Sequence, residues 1–377
     1  MPADLAVWRE PSAYAHQSRL PDPSAPKFMR VTTCTAWGAG EAASQRCQET
    51  GEDEGLTQVR SVSPAVPTCP GRSVSDEKNL GGRSVIADEI LAQPPRVLTQ
   101  SDRERYFERG YLSVPDLISP ERLAELQAVT DEFVDASRAL SASDEVYDLA
   151  PEHSADQPVV RRLKCPDIRH AAYWRLATEV LADVAADLVG PDVVFHHSKL
   201  NFKWFDDSDQ VKWHQDAQFF PHTNYNVLTI GTYLHDTDMN NGPLAVIPRS
   251  HDGPLFDQYD ADGNWVGHLS DDDAACLALD NVEYLCGRAG SITIHSCRTV
   301  HGSPASRSPT PRPLLLNCYT SADARPYTPH PQPTENAYRI IRGKPARWAH
   351  HDPRPCLIPP DWSAGYSSIY AAQAGEG

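Results

Sequence analysis

Positive charge is what this chain has little of: 34 lysines and arginines stand against 51 aspartates and glutamates, a formal net charge of −17. No clustered basic stripe offsets that balance, so a nucleic-acid partner, whose phosphates would be repelled, is excluded. An anionic substrate would need a local basic pocket. Nowhere does an apolar run approach the eighteen or so residues of a membrane-spanning helix, so no membrane partner is expected. Met1 to Lys27 carries prolines and charges where a secretory leader needs an apolar stretch. The nine cysteines (34, 47, 69, 165, 276, 286, 297, 318 and 356) are odd in number and include no Cys-x-x-Cys pair. That argues against a disulfide framework or a structural zinc site and makes a cytoplasmic protein with reduced thiols the expectation.

Residues 1 to about 95 lack apolar periodicity as well. Serine, proline, glycine, threonine and glutamate dominate there, and a run such as Ser61-Val62-Ser63-Pro64-Ala65-Val66-Pro67 suits neither helix nor strand. A stretch that cannot bury enough apolar surface to offset its ordering entropy stays unfolded. Residues 1–95 are therefore expected to be a disordered extension and 96–377 the folded domain. A docking tail is the functional alternative, and a start codon assigned upstream of the true one would look the same.

Order is expected from Leu98. Thr99 can cap a helix with Asp102 three residues on, and Gly110 supplies a stop. Ser119-Pro120 opens a second helix, with Leu123, Leu126, Val129 and Phe133 near one face. A third is expected from about Arg169 to Val189, with Tyr173, Leu176, Val180, Val184 and Leu188 at helical spacing and Gly190-Pro191 ending it. Beyond Val193 the texture turns to short β-like runs: Val193 to Phe205, Val227 to His235, Leu244 to Ile247, Ser291 to His295 and Leu314 to Tyr319. Asn240-Asn241-Gly242-Pro243 marks a tight turn among them. Strands following a helical block predict an α+β domain on a two-sheet jelly roll, whose inward side chains can converge on one ion.

Two features of the β-region carry chemistry. In Trp213-His214-Gln215-Asp216 the histidine and the carboxylate stand two apart after an extended run, and residues i and i+2 of a strand share a face. Far downstream, Thr299-Val300-His301-Gly302-Ser303 supplies a second imidazole, with Arg312 eleven residues past His301. Two imidazoles and a carboxylate form the facial set that holds non-haem Fe(II) while leaving positions open. The arginine can grip the far carboxylate of a dicarboxylate co-substrate. A second His-x-Asp, His350-His351-Asp352, sits in a proline-interrupted stretch and reads as a decoy. His295 rivals His301 but lacks the Gly-Ser continuation. His196 and His197, as neighbours on a strand, should point to opposite faces and so should not both line one site.

Several segments, in order, resemble the phytanoyl-CoA dioxygenase-like family of Fe(II)/2-oxoglutarate oxygenases across roughly Leu98 to Tyr327. They are Leu98-Thr99 through Gly110-Tyr111-Leu112, the strand His196 to Lys203, the Trp213 to Asp216 motif, and Asn241-Gly242-Pro243-Leu244 with Ile247-Pro248-Arg249-Ser250-His251, where Arg249 replaces the usual glycine. His301-Gly302-Ser303 with Ser308 and Arg312 completes the set. The resemblance implies a double-stranded β-helix core and His214, Asp216 and His301 as iron ligands. It further implies Arg312 on the distal carboxylate of 2-oxoglutarate, with Ser303 and Lys203 as helpers, molecular oxygen as the other co-substrate, and hydroxylation of a small molecule with release of succinate and carbon dioxide. Halogenating relatives lack the carboxylate that Asp216 supplies. From the residues alone, Lys203 equally suits a solvated strand position and Ser303 a turn. Gln218, Phe220, His222, Asn224 and Tyr233 are candidate substrate contacts, with loop packing as their alternative role. A cupin-like dioxygenase without 2-oxoglutarate, or a non-catalytic jelly-roll binding protein, are the rival classes.

Overall fold

The computed structural model describes residues 85–204, 210–364 and 369–374. Most of the stretch expected to be disordered, and Phe205 at the end of one expected strand, lie outside the described residues. A short helix α1, Val85–Leu91, precedes the boundary read near Leu98. It is tied down by α2, Gln100–Arg109, whose buried Arg103 guanidinium donates to the carbonyls of Ile90, Gln93 and Asp187. The Asp187 carboxylate in turn accepts the backbone N–H groups of Arg96, Val97 and Leu98 at 2.7–2.9 Å.

Local chemistry accounts for the helix ends. Thr99 and Asp102 form a reciprocal capping box at the start of α2, and Gly110 ends it at φ 83°. A Cβ at Gly110 would stand 2.4 Å from His251 Nδ1, so the position needs glycine twice over. Helix α3, Pro120–Ser137, opens on Ser119 with proline in its first turn. The single helix expected from Arg169 to Val189 is instead broken into α4 (Pro166–Arg169), α5 (Ala171–Arg175), a π-helical turn Leu176–Val180 and α6 (Leu181–Val189). The π turn inserts about one residue, which brings Tyr173, Leu176 and Ala177 and then Leu181, Val184 and Leu188 onto one buried face. Within that turn the Ala177 carbonyl accepts the Tyr319 hydroxyl at 2.9 Å.

Twelve strands make two antiparallel sheets among the described residues. They are β1 (Tyr111–Val114), β2 (Tyr147–Leu149), β3 (Val160–Lys164), β4 (Val193–Asn201), β5 (Val211–His214), β6 (Val227–Tyr233), β7 (Leu244–Val246), β8 (Glu283–Leu285), β9 (Ile292–Ser296), β10 (His301–Ser303), β11 (Leu314–Ser321) and β12 (Ile340–Arg342). The large sheet runs β1-β9-β6-β11-β4-β3-β2 with β12 beside β4, and the small one runs β5-β10-β7-β8. One face of the large sheet, with Phe195, Leu200, Leu228, Ile230, Ile294, Leu315 and Tyr319, packs on the helices as the main core. The other face is polar: in register across β9, β6, β11 and β4 stand His295, Thr229, Cys318 and His197. No described helix is long and apolar enough to cross a membrane.

Candidate active site

The short sheet delivers two ligands by direct pairing. His301 on β10 faces His214 on β5 in register, with ring centroids 4.1 Å apart. Strand β5 ends at His214, so Asp216 belongs to a 3-10 turn rather than to the strand that was expected. The two-apart rule survives because Gln215 between them remains extended, φ −123° and ψ 135°. The Gln215 side chain is held elsewhere, donating to the carbonyls of Arg298 and Pro254 and accepting from Phe256 N–H. Asp216 Oδ1 lies 4.0 Å from His214 Nε2 and 3.9 Å from His301 Nε2, and all three residues are buried.

The surroundings prepare these atoms for a cation. His214 Nδ1 is 2.9 Å from the Lys212 carbonyl and His301 Nδ1 is 2.9 Å from the Thr299 carbonyl. A carbonyl oxygen can only accept, so each Nδ1 carries the hydrogen and each Nε2 keeps its lone pair. Burial drives the His214 imidazole down to about 4 and His301 well below its ordinary range, which keeps both neutral, as metal ligands must be. Burial alone would push the Asp216 carboxyl up, but His295 beside Oδ2 and the through-space pull of His301 and Lys199 outweigh it and hold the group well below the usual carboxylate range. The two carboxylate oxygens are divided. Oδ2 accepts from Thr229 Oγ1 at 3.0 Å and lies 3.4 Å from His295 Nε2, which leaves Oδ1 toward the two ligand imidazoles. His295, the rival for the distal ligand, thus faces the carboxylate from the opposite side, its ring 4.2 Å from that of His301.

Arg312 is 2% exposed and donates to the Gly242 carbonyl at 2.7 Å and toward Ser303 Oγ at 3.3 Å. Among the described residues no carboxylate lies within ion-pair distance of it, and its Nε has no partner. Ser303 belongs to β10 rather than to a turn and donates to the same Gly242 carbonyl at 2.9 Å. Lys203 is 1% exposed, not a solvated strand residue, and its stem crosses Gly242, where a Cβ would come within 2.5 Å. Gly242, at φ 72°, is the hub of this cluster and has to be glycine. Arg307 is exposed. The second His-x-Asp is dispersed, with His350 on Asp323, His351 on the Tyr327 hydroxyl and Asp352 on Arg354.

A cavity opens beside Asp216, walled by Arg162, His197, Lys199, Phe219, Phe220, Pro331, Gln332, Trp362 and Ile369. Of the five candidate substrate contacts only Phe220 is on its wall. Gln218 is engaged with Asp257 and Gln258, Asn224 with Asp323 and Asn226, and Tyr233 donates to Leu285 among the leucines of β11. His222 donates to the Phe220 carbonyl at 2.7 Å and stacks edge-on to His196. The opposition of His196 and His197 does not hold. His197 pairs with Cys318 and Phe195 with Tyr319, so His196 is the extra residue of a β-bulge. The bulge turns both imidazoles to the polar face, with their Nδ1 atoms 2.6 Å apart. Arg162 and Trp362 carried no motif to mark them. Lys199 lay inside a motif, but a bare strand pattern could not separate it from Lys203.

A family model described as phytanoyl-CoA dioxygenase (PhyH) matches residues 106–314. A protein of Stutzerimonas stutzeri described as a probable alpha-ketoglutarate-dependent hypophosphite dioxygenase is 30% identical over 233 residues, 61% of this chain and 81% of the relative. An ectoine dioxygenase of Sphingopyxis alaskensis is 27% identical over 267 residues, 64% of this chain and 82% of the relative. Among solved structures, EctD from S. alaskensis in its apoform has a TM-score of 0.55 at 23% identity, covering 67% of this chain and 90% of that one, a likeness that carries the fold. Since that model spans more than half of the 377 residues and takes in both halves of the buried His-Asp-His cluster, the chain belongs to the phytanoyl-CoA dioxygenase family.

Proposed function

We propose that this protein is a non-haem Fe(II)- and 2-oxoglutarate-dependent oxygenase that hydroxylates a small molecule, built on the double-stranded β-helix of its family. The observation that carries the reading is the conjunction of a buried His-Asp-His set with a buried guanidinium that meets no carboxylate among the described residues. The donor set fits Fe(II): two neutral imidazole nitrogens with fixed lone pairs and one carboxylate oxygen, N and O ligands suited to that ion. When bound there, the iron supplies the oxygen chemistry, in which 2-oxoglutarate, O2 and substrate R–H become succinate, CO2 and R–OH.

The chain's own residues do the positioning. Arg312 and Lys203 neutralise the distal carboxylate of 2-oxoglutarate, and Ser303 adds a hydroxyl next to it. Thr229 fixes the rotation of the Asp216 carboxylate, and the carbonyls of Lys212 and Thr299 fix the two rings. Phe219, Phe220, Trp362 and Ile369 exclude water from the cavity beside Asp216. The relative from S. stutzeri is named for dependence on alpha-ketoglutarate, which supports the same co-substrate here. A metal dioxygenase without 2-oxoglutarate leaves the buried Arg312 charge unexplained, because a buried charge with no opposite charge beside it among the described residues is costly. The six described cysteines are all free, in keeping with a cytoplasmic protein.

The test is 2-oxoglutarate binding to the Fe(II)-loaded protein without oxygen, followed by the charge-transfer band of the chelate. Arg312→Ala should weaken binding about 30- to several-thousand-fold with iron content unchanged, since losing one partner of a buried charge pair costs about 2–5 kcal/mol. Arg312→Lys should recover only part, for want of the planar fork. Wild-type affinity in Arg312→Ala would remove that residue from the site, and no complex in the wild type would remove 2-oxoglutarate from the reaction.

A further inference from the structure

The cavity beside Asp216 holds more positive charge than the assigned co-substrate uses. Arg162 and Lys199 are both on its wall, whereas Arg312, Lys203 and Ser303 are not. Strand pairing places the two cations together: Arg162 on β3 is in register with Asn201 on β4, and Lys199 lies two residues before Asn201 on the same face. Arg162 is 1% exposed, and its Nε donates to Asn201 Oδ1 at 2.9 Å. The guanidinium carbon lies 5.7 Å from the Tyr370 ring centroid, and the buried NH2 has no hydrogen-bond partner among the described residues. Among the described residues neither cation has a carboxylate within ion-pair distance, and the one acid on the cavity wall, Asp216, already belongs to the iron-binding set. Two like charges at diagonal spacing on adjacent strands repel each other, and an unpaired buried guanidinium nitrogen forfeits its hydration. An anion between them relieves both costs. The chain as a whole carries −17, so it offers an anion no long-range attraction, and recognition has to be local.

We infer that the primary substrate is a small oxyanion, a phosphorus oxyanion or a carboxylate, clamped by Arg162 and Lys199 with His197 beside them so that its oxidisable hydrogen faces the iron site. This rests on the oxygenase reading above and adds the substrate class to it. The free Arg162 NH2 provides a donor for one anion oxygen and the Lys199 ammonium a compact charge for another. Phe219, Phe220, Trp362 and Ile369 close the apolar side, which lowers the local dielectric and strengthens both contacts. Gln332 on the wall gives an amide for a further polar atom of the substrate.

The probes are methylphosphonate, hypophosphite and propanoate, with neutral propanamide as the control. They are titrated by calorimetry into the Fe(II)-loaded protein without oxygen, both with and without 2-oxoglutarate. The expected result is binding of at least one of the anions and none of propanamide, with the phosphorus and carboxylate probes showing which oxyanion is preferred. Lys199→Met and Arg162→Met should each weaken that binding by about 30-fold or more, while 2-oxoglutarate, held by Arg312, should lose far less affinity than it does in Arg312→Ala. Lys199→Arg should retain most of the anion binding. If Arg162→Met does not fold, the two Lys199 variants alone decide. The inference is overturned if propanamide binds as well as propanoate, if no anion binds to a protein that does form the 2-oxoglutarate complex, or if the Met variants lose 2-oxoglutarate as Arg312→Ala does. Failure of the oxygenase reading looks different: anions bind, but no charge-transfer band appears with 2-oxoglutarate.

Discussion

The two sheets of this protein divide its labour unequally. Strands of the large sheet reach nine residues, and one face of it is buried against α3, α5 and α6 in a single apolar core. The small sheet is made of strands only three or four residues long, yet it carries both ligand histidines and Ser303. Stability therefore resides where apolar area is buried, and chemistry resides on a short structure whose positions are set by what it packs against. The large sheet contributes to the site as well, but through its polar face, where His295 and Thr229 brace Asp216 and where Arg162 and Lys199 wait. One sheet thus serves as core on one side and as the site's support on the other.

The sharpest way to break this division is to exchange the effects. His301→Ala, on the small sheet, should take iron from about one per chain to background and succinate formation with it, while the far-UV circular dichroism and the unfolding midpoint without metal hardly move. Retained iron would take His301 out of the site. On the opposite side, Phe195→Ala should cost about 3–5 kcal/mol in chemical denaturation, because Phe195 is fully buried against Trp174 and Tyr319. Iron per folded chain should be unaffected. A loss below about 1 kcal/mol would mean that the large sheet is not the source of stability.

A third, smaller effect belongs to the polar face. Burial drives the His222 imidazole, packed edge-on to His196 of β4, down to about 4 from its ordinary 6.5. Between those values the unfolded chain binds the extra proton, so stability rises with pH. The contribution is complete above about 6.5 and is lost as pH falls toward 4, worth about 2–3 kcal/mol at pH 4.5. Denaturation of metal-free protein at pH 7.5 and 4.5 should show that fall, and His222→Gln should reduce it. An identical slope in the variant would assign acid sensitivity elsewhere. The smallest effect is at Arg249, beyond the end of β7, which is exposed and held at φ 65°. An L-residue there is strained by about 1–2 kcal/mol, and glycine returns part of that as unfolded-state entropy. Arg249→Gly should therefore raise the denaturation midpoint by the equivalent of about 0.5–1 kcal/mol, with turnover unaltered.

Much of this was legible in the sequence. Thr99 with Asp102, Ser119-Pro120 and Gly110 act through bonds and dihedrals spanning three or four residues, so the ends of α2 and the start of α3 followed from local chemistry. Strands β4, β6, β9 and β11 were readable because alternation or a continuous β-branched run extends over five to nine residues, and the three-residue β7 because the Asn240 to Pro243 turn marks its start, while β2, β3 and β8, three to five residues each, carry too little pattern. His214 and Asp216 were found because extended backbone obeys a local rule, and His301 because the His-Gly-Ser match extended it.

What only the tertiary structure decided is whatever depends on which strands are neighbours. The bulge at His196 is a mismatch between β4 and β11, invisible in either strand alone, and it turns two imidazoles to one face. The cation pair exists because β3 lies beside β4 in a particular register, which sets Arg162 diagonal to Lys199 across a gap of 37 positions in the chain (199 minus 162). The His214 and His301 rings meet because β5 and β10 pair across 87 positions (301 minus 214). Chain chemistry determines which groups are available and how short segments fold. Their meeting is set by burying one apolar sheet face, since that burial fixes register, and register fixes every side chain on the other face.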